Sequence, residues 1–224
     1  MRKKKAKAKV SGFQNELREN ILRKLFQGPI TRFHLKQADI LGAFAASLTE
    51  DGLADCSYSS VASRLDMDPS HLAYYFKTWE QMLLQCYEFA VLWGQEITHY
   101  RVGLASTPLE KVEAVVRSPF EHFELFPTHR AVLLAYFMDS CREAELRKKS
   151  AEVRELGKER LSALLAMLPR KPGAMSDGLL AASIQKMIVG CVVDWTTAEI
   201  SDAIAGSDSA WALVSSLLCR ERAV

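Results

Sequence analysis

The residues best equipped for chemistry in this chain cluster between positions 69 and 77: Pro69, Ser70, His71, Tyr74 and Lys77. A serine hydroxyl, an imidazole, a phenol and an ammonium group offer hydrogen-bond donors, acceptors and one fixed positive charge. No acid–base–nucleophile spacing accompanies them. The set suits recognition of polar groups rather than the breaking of bonds.

Local signals say what must hold these groups. Asp68 followed by Pro69 predicts a helix start, a carboxylate cap ahead of a residue whose fixed φ suits the first helical position. Leu72, Tyr75 and Phe76 give that short helix an apolar side, so Ser70, His71, Ala73, Tyr74 and Lys77 face outward. Upstream, Ser57 is placed to cap another short helix in which Val61, Ala62 and Leu65 share a face. Residues 35–54 predict an amphipathic helix ending at Gly52, apolar at Leu35, Ala38, Leu41, Ala45 and Leu48. Two short helices joined by a tight turn, the second exposed, form the arrangement that enters the DNA major groove. A helical hairpin inside a larger bundle is the alternative for the same pattern.

Taken in order, the helix, the Glu-Asp-Gly stop, S-x-x-x-V-A, D-P-S, L-x-Y-Y-F and x-x-E-x-x-L resemble the DNA-binding domain of TetR-type bacterial repressors. The resemblance covers about fifty residues; beyond them only length and helical rhythm agree. It implies an all-α protein with an N-terminal three-helix domain containing the helix-turn-helix, and a C-terminal helical domain for ligand binding and dimerisation. The corresponding boundaries are 1–30 for a basic arm and short extra helix, 31–80 for the DNA-binding domain, and 81–224 for the rest. In that frame Ser70, His71 and Tyr74 face bases, Pro69 meets a thymine methyl or sugar, and Lys77 and Ser57 hold phosphates. The chain departs from the family pattern twice, with Ala73 where a tyrosine is usual and Trp79 where a lysine is usual.

Those departures matter because of the charge distribution. The net charge is +2, but residues 1–30 hold nine Lys/Arg against two acids, while residues 31–80 hold four against seven. Phosphate neutralisation supplies most sequence-independent DNA affinity, and the helix-turn-helix domain is itself acidic. Arg2, Lys3, Lys4, Lys5, Lys7 and Lys9 are the expected compensation, an electrostatic arm of the kind that reaches into an adjacent groove. A merely solubilising tail is the alternative. Phe13, Leu17, Ile21 and Leu25 recur at fourth positions, predicting a short helix between arm and domain that packs on its own domain or on a partner.

Further along, helices are expected from Thr78 through residue 102, from the Thr107-Pro108 pair with Pro119 kinking or dividing it, and over 128–140, 142–168, 176–204 and 208–220. Phe89, Trp93, Tyr100, Phe120, Phe123, Tyr136 and Phe137 are candidates to line a pocket for a small apolar effector, with ordinary core as the alternative. The last two helices carry small residues, and the resemblance implies that they pair across a two-fold axis, with Ala182, Gly190, Cys191 and Trp211 as candidates for the interface.

Other function classes lack support. Five cysteines are scattered without metal-ligand pairing, and no HExxH, GxSxG, phosphate-loop or CxxC pattern occurs, so neither cofactor nor metal is expected. The longest uninterrupted apolar run, 131–138, is far short of the ~20 residues of a membrane span. A cytoplasmic, homodimeric regulator that binds double-stranded DNA is expected. The alternative is a dimeric scaffold of the same fold that has given up sequence-specific DNA binding and binds a protein or small molecule.

Overall fold

The computed structural model describes residues 17–198 and 202–223, and these form helices α1 (17–26), α2 (Arg32–Glu50), α3 (Gly52–Asp55), α4 (Tyr58–Ser63), α5 (Pro69–Tyr75), α6 (Trp79–Leu104), α7 (Pro108–Leu125), α8 (Thr128–Ser140), α9 (Ala144–Leu165), α10 (Asp177–Thr197) and α11 (Ala203–Glu221). Among the described residues there is no strand, only an isolated bridge between Arg170 and Arg222. Lys3, Arg2, Lys4 and Lys5 of the basic arm lie outside the described residues, as does Phe13.

Two compact units emerge. The first takes the described residues through Glu96 together with Pro127–Asp139, and the second takes Ile97–Phe126 and the chain from Ser140 onward. In the first unit Ile40, Leu41 and Phe44 of α2 are wholly buried with Val61 and Ala62 of α4, Leu72 of α5 and Met82 and Leu83 of α6. Helix α1 packs on this same unit through Ile21 and Leu22, and Arg18 reaches Asp39 at 3.0 Å. In the second unit α7, α9, α10 and α11 pack around Val112, Val116, Phe120, Leu161, Ile184 and Val214.

Several helix ends differ from the sequence expectation, each for a local reason. Helix α2 begins at Arg32 rather than 35, because Thr31 and His34 cap each other: the Thr31 hydroxyl accepts the His34 N–H at 3.3 Å and His34 Nδ1 accepts the Thr31 N–H at 3.4 Å. Leu35 consequently turns to solvent instead of joining the apolar face. The helix stops at Glu50, and Gly52, at φ +78°, supplies the left-handed residue that lets the short α3 follow. Helix α9 is shorter than 142–168 at both ends.

Pro119 does not divide α7, which runs unbroken from Pro108 to Leu125. A Thr107–Glu110 capping box anchors its start, and the buried face of Val112, Val116, Phe120 and Phe123 outweighs the one backbone hydrogen bond that proline removes. Helix α10 ends at Thr197, not 204, and α11 starts at Ala203, not 208. Asp202 explains the early start, its Oδ1 accepting the Ile204 N–H at 2.8 Å.

Helix α10 is the one described helix long and apolar enough to cross a membrane by length and composition, with a third of its most apolar window buried. Its apolar residues do not form one unbroken run, because Ser183, Gln185, Lys186 and Asp194 interrupt them. Its buried side, Leu180, Ala181, Ile184, Ile188 and Val192, packs within the second unit.

Candidate nucleic-acid interface

The outward helix is built by caps at short range. Ser57 Oγ accepts the Ser60 N–H at 3.2 Å, and Ser60 Oγ accepts the Ser57 N–H at 2.9 Å, so α4 opens on a reciprocal capping box. At its other end Asp66 takes φ +49°, the Met67 N–H donates to Ala62 O at 3.0 Å and the Asp66 N–H to Ser63 O at 3.3 Å. This is a Schellman-type stop with aspartate in the left-handed position. Asp68 Oδ1 then accepts both the Ser70 N–H at 2.8 Å and the Ser70 hydroxyl at 2.6 Å, and Pro69 takes the first position of α5. These hydrogen bonds, the side-chain one foremost, hold the Asp68 carboxyl below its ordinary value.

Two longer bonds pin the far end of α5. Tyr58 Oη donates to Phe76 O at 3.0 Å, and Gln37 Nε2 donates to Tyr75 O at 3.3 Å. With Leu72 and Phe76 buried, the helix has a fixed orientation on its unit, and Pro69, Ser70, His71, Ala73, Tyr74 and Lys77 are all exposed. Tyr74 is 71 % exposed. The five residues proposed from sequence are therefore all open to solvent. Ser70 enters it with its hydroxyl proton committed to Asp68, leaving its lone pairs to accept. Ser57 is exposed too, but its hydroxyl oxygen already serves as a cap.

Electrostatics around this surface are unusual for a phosphate-binding face. Arg64, one of four basic residues in 31–80, is spent internally: Nη1 donates to Glu50 Oε2 at 2.7 Å and Nη2 to Asp51 at 3.0 Å. A groove of about 480 Å³ beside it is lined by Glu50, Asp51, Asp55, Ser60, Ser63 and Arg64, an acidic lining no phosphate would favour. Trp79 is explained by packing, since its ring meets Phe44 edge to face at 4.9 Å.

The other candidate residues fall into two groups. Phe89, Trp93 and Tyr136 belong to the first unit and are buried, Tyr136 stacking on Tyr87 at 3.5 Å and Phe89 meeting Trp93 at 6.2 Å; Phe137 of the same unit is half-buried. Phe120 and Phe123 are buried in the second unit and Tyr100 is exposed. A groove of about 530 Å³ in the second unit includes Phe120 but otherwise Arg101, Leu104, Glu110, Glu113, Arg117, Glu121, Glu124 and Ile204, so its lining mixes charge with apolar surface. On α10, Ala182 and Cys191 are half-buried and Gly190 is exposed with open space where a Cβ would stand; Trp211 of α11 is half-buried. Among the described residues no cluster of three or more His, Cys, Asp or Glu is placed to hold a metal ion.

No family model matches the sequence, and no curated protein does. Solved structures do match. A TetR-family regulator from Cytophaga hutchinsonii superposes with a TM-score of 0.74 over 88% of this chain and 100% of its own, at 16% identity. A transcriptional regulator from Rhodococcus sp. Rha1 gives 0.70 over 84% and 98%, also at 16% identity. A third, a putative transcriptional regulator from Saccharomonospora viridis in complex with choline, gives 0.70 over 80% and 95% at 12% identity. The chain has the TetR-regulator fold.

Within that fold, sequence reasoning overlooked two residues that brace the candidate surface and the helices behind it. Phe33, in the first turn of α2, meets Tyr74 edge to face at 5.7 Å, and Arg64 joins α2 to α4. Neither carries a local signal, because their partners lie far along the chain. Caps such as Ser57 and the Asp68-Pro69 pair are visible in a sequence window; long-range aromatic and ionic pairs are not.

Proposed function

We propose that this chain is a DNA-binding transcriptional regulator of the TetR type, a homodimeric repressor acting in the cytoplasm and modulated by a small effector. The observation that carries the proposal is the exposed face of α5, where His71 and Tyr74 stand clear of a helix whose ends are fixed by Asp68, Tyr58 and Gln37, with exposed Lys77 just past its C-terminal end. A short rigid helix with outward polar and aromatic groups is what base-edge recognition needs. Tyr74 and His71 read bases, Ser70 accepts a hydrogen bond, Pro69 offers apolar contact, and Lys77 meets a phosphate. Arg2, Lys3, Lys4 and Lys5 add sequence-independent affinity that salt weakens.

Dimerisation follows from the reach of one seven-residue helix, which reads too few base pairs alone. Its proposed surface is the outer stripe of α10, where Leu179, Ala182, Lys186, Val189, Gly190 and Val193 recur at three- and four-residue spacing and are exposed or half-buried. Half-buried Cys191 of α10 and Trp211 of α11 are the further candidates for that interface. Burying such a stripe against a second copy removes apolar area from water at about 25 cal/mol per Å². The neighbour solved in complex with choline supports a small-molecule effector for this fold.

Selection from a random pool of duplex DNA by the full chain at moderate salt tests the proposal. Enrichment of a palindrome with half-sites about one helical turn apart is the expected result. Retention of DNA with no enriched sequence would assign the contact to the arm alone. No retention would favour the scaffold reading, for which the acidic residues around Arg64 are the specific observation.

A further inference from the structure

We infer that Phe33, which lies outside the helix-turn-helix, is a positioning residue that fixes the side chain of Tyr74 and so sets the chain's discrimination between DNA sequences. The inference rests on the DNA-binding reading above. Three rings make the arrangement: Phe33 meets Tyr74 at 5.7 Å and 85°, Phe33 stacks on Tyr75 at 4.8 Å and 27°, and Tyr74 meets Tyr75 at 5.3 Å and 85°. Each contact lies within the separations at which aromatic edges and faces attract.

Phe33 is itself held. It sits inside the Thr31–His34 capping box, and the His34 ring stacks on Phe26 of α1 at 4.4 Å and 8° while meeting Phe33 at 6.2 Å. The brace therefore runs from α1 through the first turn of α2 to the outward face of α5. Its effect is entropic. A phenol at 71 % exposure would otherwise sample several χ1 wells and lose them on binding. Held between two rings, Tyr74 presents one geometry before DNA arrives.

Phe33 is itself 37 % exposed, so it lies at the edge of its unit and not among the fully buried core side chains. Its value lies in direction. An edge-to-face pair worth about a tenfold preference predicts that Phe33→Ala costs discrimination of about that size.

The test uses the full chain and the sequence it enriches from a random duplex pool. Affinities of wild type, Phe33→Ala, Phe33→Tyr, Tyr74→Ala and the Phe33→Ala/Tyr74→Ala double variant are measured against that operator and against single-base variants of its half-sites. Phe33→Ala is expected to reduce the preference for the operator by about tenfold, Phe33→Tyr to restore it, and the double variant to be no worse than Tyr74→Ala. Unchanged preference in Phe33→Ala, or equal weakening on every duplex, would overturn the inference while leaving the DNA-binding reading intact. If wild type enriches no sequence, both fall. Should Phe33→Ala fail to melt cooperatively, Phe33→Leu keeps the apolar volume without the ring edge and carries the same expectation.

Discussion

Arg64 Nη2 lies 3.0 Å from Asp51 Oδ1 and 3.1 Å from Oδ2, while its Nη1 lies 2.7 Å from Glu50. One guanidinium thus closes both acidic groups at the end of α2 and joins them to the end of α4. Asp51 also receives the Ser47 hydroxyl at 2.5 Å, and Ser47 is paired with Ser60 at 2.8 Å. The carboxyl of Asp51 is held below 3.8, by the Ser47 hydrogen bond first and by Arg64 second. The network gives the first helix-turn-helix helix a fixed seat, and it uses a cation that DNA would otherwise attract.

Arg64→Ala is therefore expected to lower the melting temperature at neutral pH. A carboxyl depressed in the folded state contributes stability above its unfolded value and loses it as pH falls through the folded one. The difference between wild type and variant should accordingly narrow below about pH 3.8. Thermal melts at pH 7 and pH 3 check this; an equal loss at both would assign the effect to packing.

Asp66 separates backbone geometry from charge. At φ +49° it occupies a conformation that Asn and Asp tolerate and alanine does not. Asp66→Ala should cost about 1 kcal/mol in denaturant unfolding, and Asp66→Asn should lie within about 0.5 kcal/mol of wild type. Both substitutions remove a negative charge from the turn, so both should strengthen binding to unrelated duplex DNA at low salt. Binding that tracks stability instead of charge would contradict this.

Ala73 and Trp79 depart from the same family pattern for different physical reasons. Ala73 is exposed on α5, whereas Trp79 packs edge to face on Phe44. Ala73→Tyr should raise DNA affinity several-fold without loss of stability, because a phenol there gains a phosphate contact and displaces nothing. Trp79→Lys should instead destabilise the first unit by roughly 2–4 kcal/mol through lost aromatic packing. Titrations of a fluorescent duplex together with urea unfolding of both variants distinguish the two outcomes.

The helix-turn-helix was legible in the sequence because its signals are local. Ser57 and Asp68 accept backbone N–H groups three and two residues away, and Pro69 takes the first position of α5, as their local pattern predicts. Helix ends governed by less usual chemistry were not legible. Thr31 is capped reciprocally by a histidine, where glutamate or glutamine is the usual partner, and Asp202 caps α11 inside the span 176–204 that the sequence pattern assigns to a single helix. Pro119 shows tertiary packing overriding a local rule. For Phe33 and Arg64 a sequence window holds no information at all, since Tyr74 lies 41 positions from Phe33 and Asp51 thirteen from Arg64.

His129 gives the first unit a pH limit. Its ring is buried and lies 6.3 Å from Phe89, and burial pushes its pKa from 6.5 down to about 4. The folded chain therefore keeps the imidazole neutral where the unfolded chain has taken up a proton. Stability from this group is fully present above about pH 6.5 and is lost progressively as pH falls, the loss levelling off near pH 4. The full span corresponds to a loss on the order of 3 kcal/mol. Unfolding midpoints in urea at pH 7, 6 and 5 should fall steeply for wild type. In His129→Gln, which cannot take up a proton, the decline across the same range should be clearly shallower, with carboxylates alone responsible for what remains. Parallel declines in the two proteins would show that His129 does not govern the limit. Because α8 and the helix-turn-helix belong to one compact unit, operator binding by wild type should fail at the acid end of this window before the second unit unfolds.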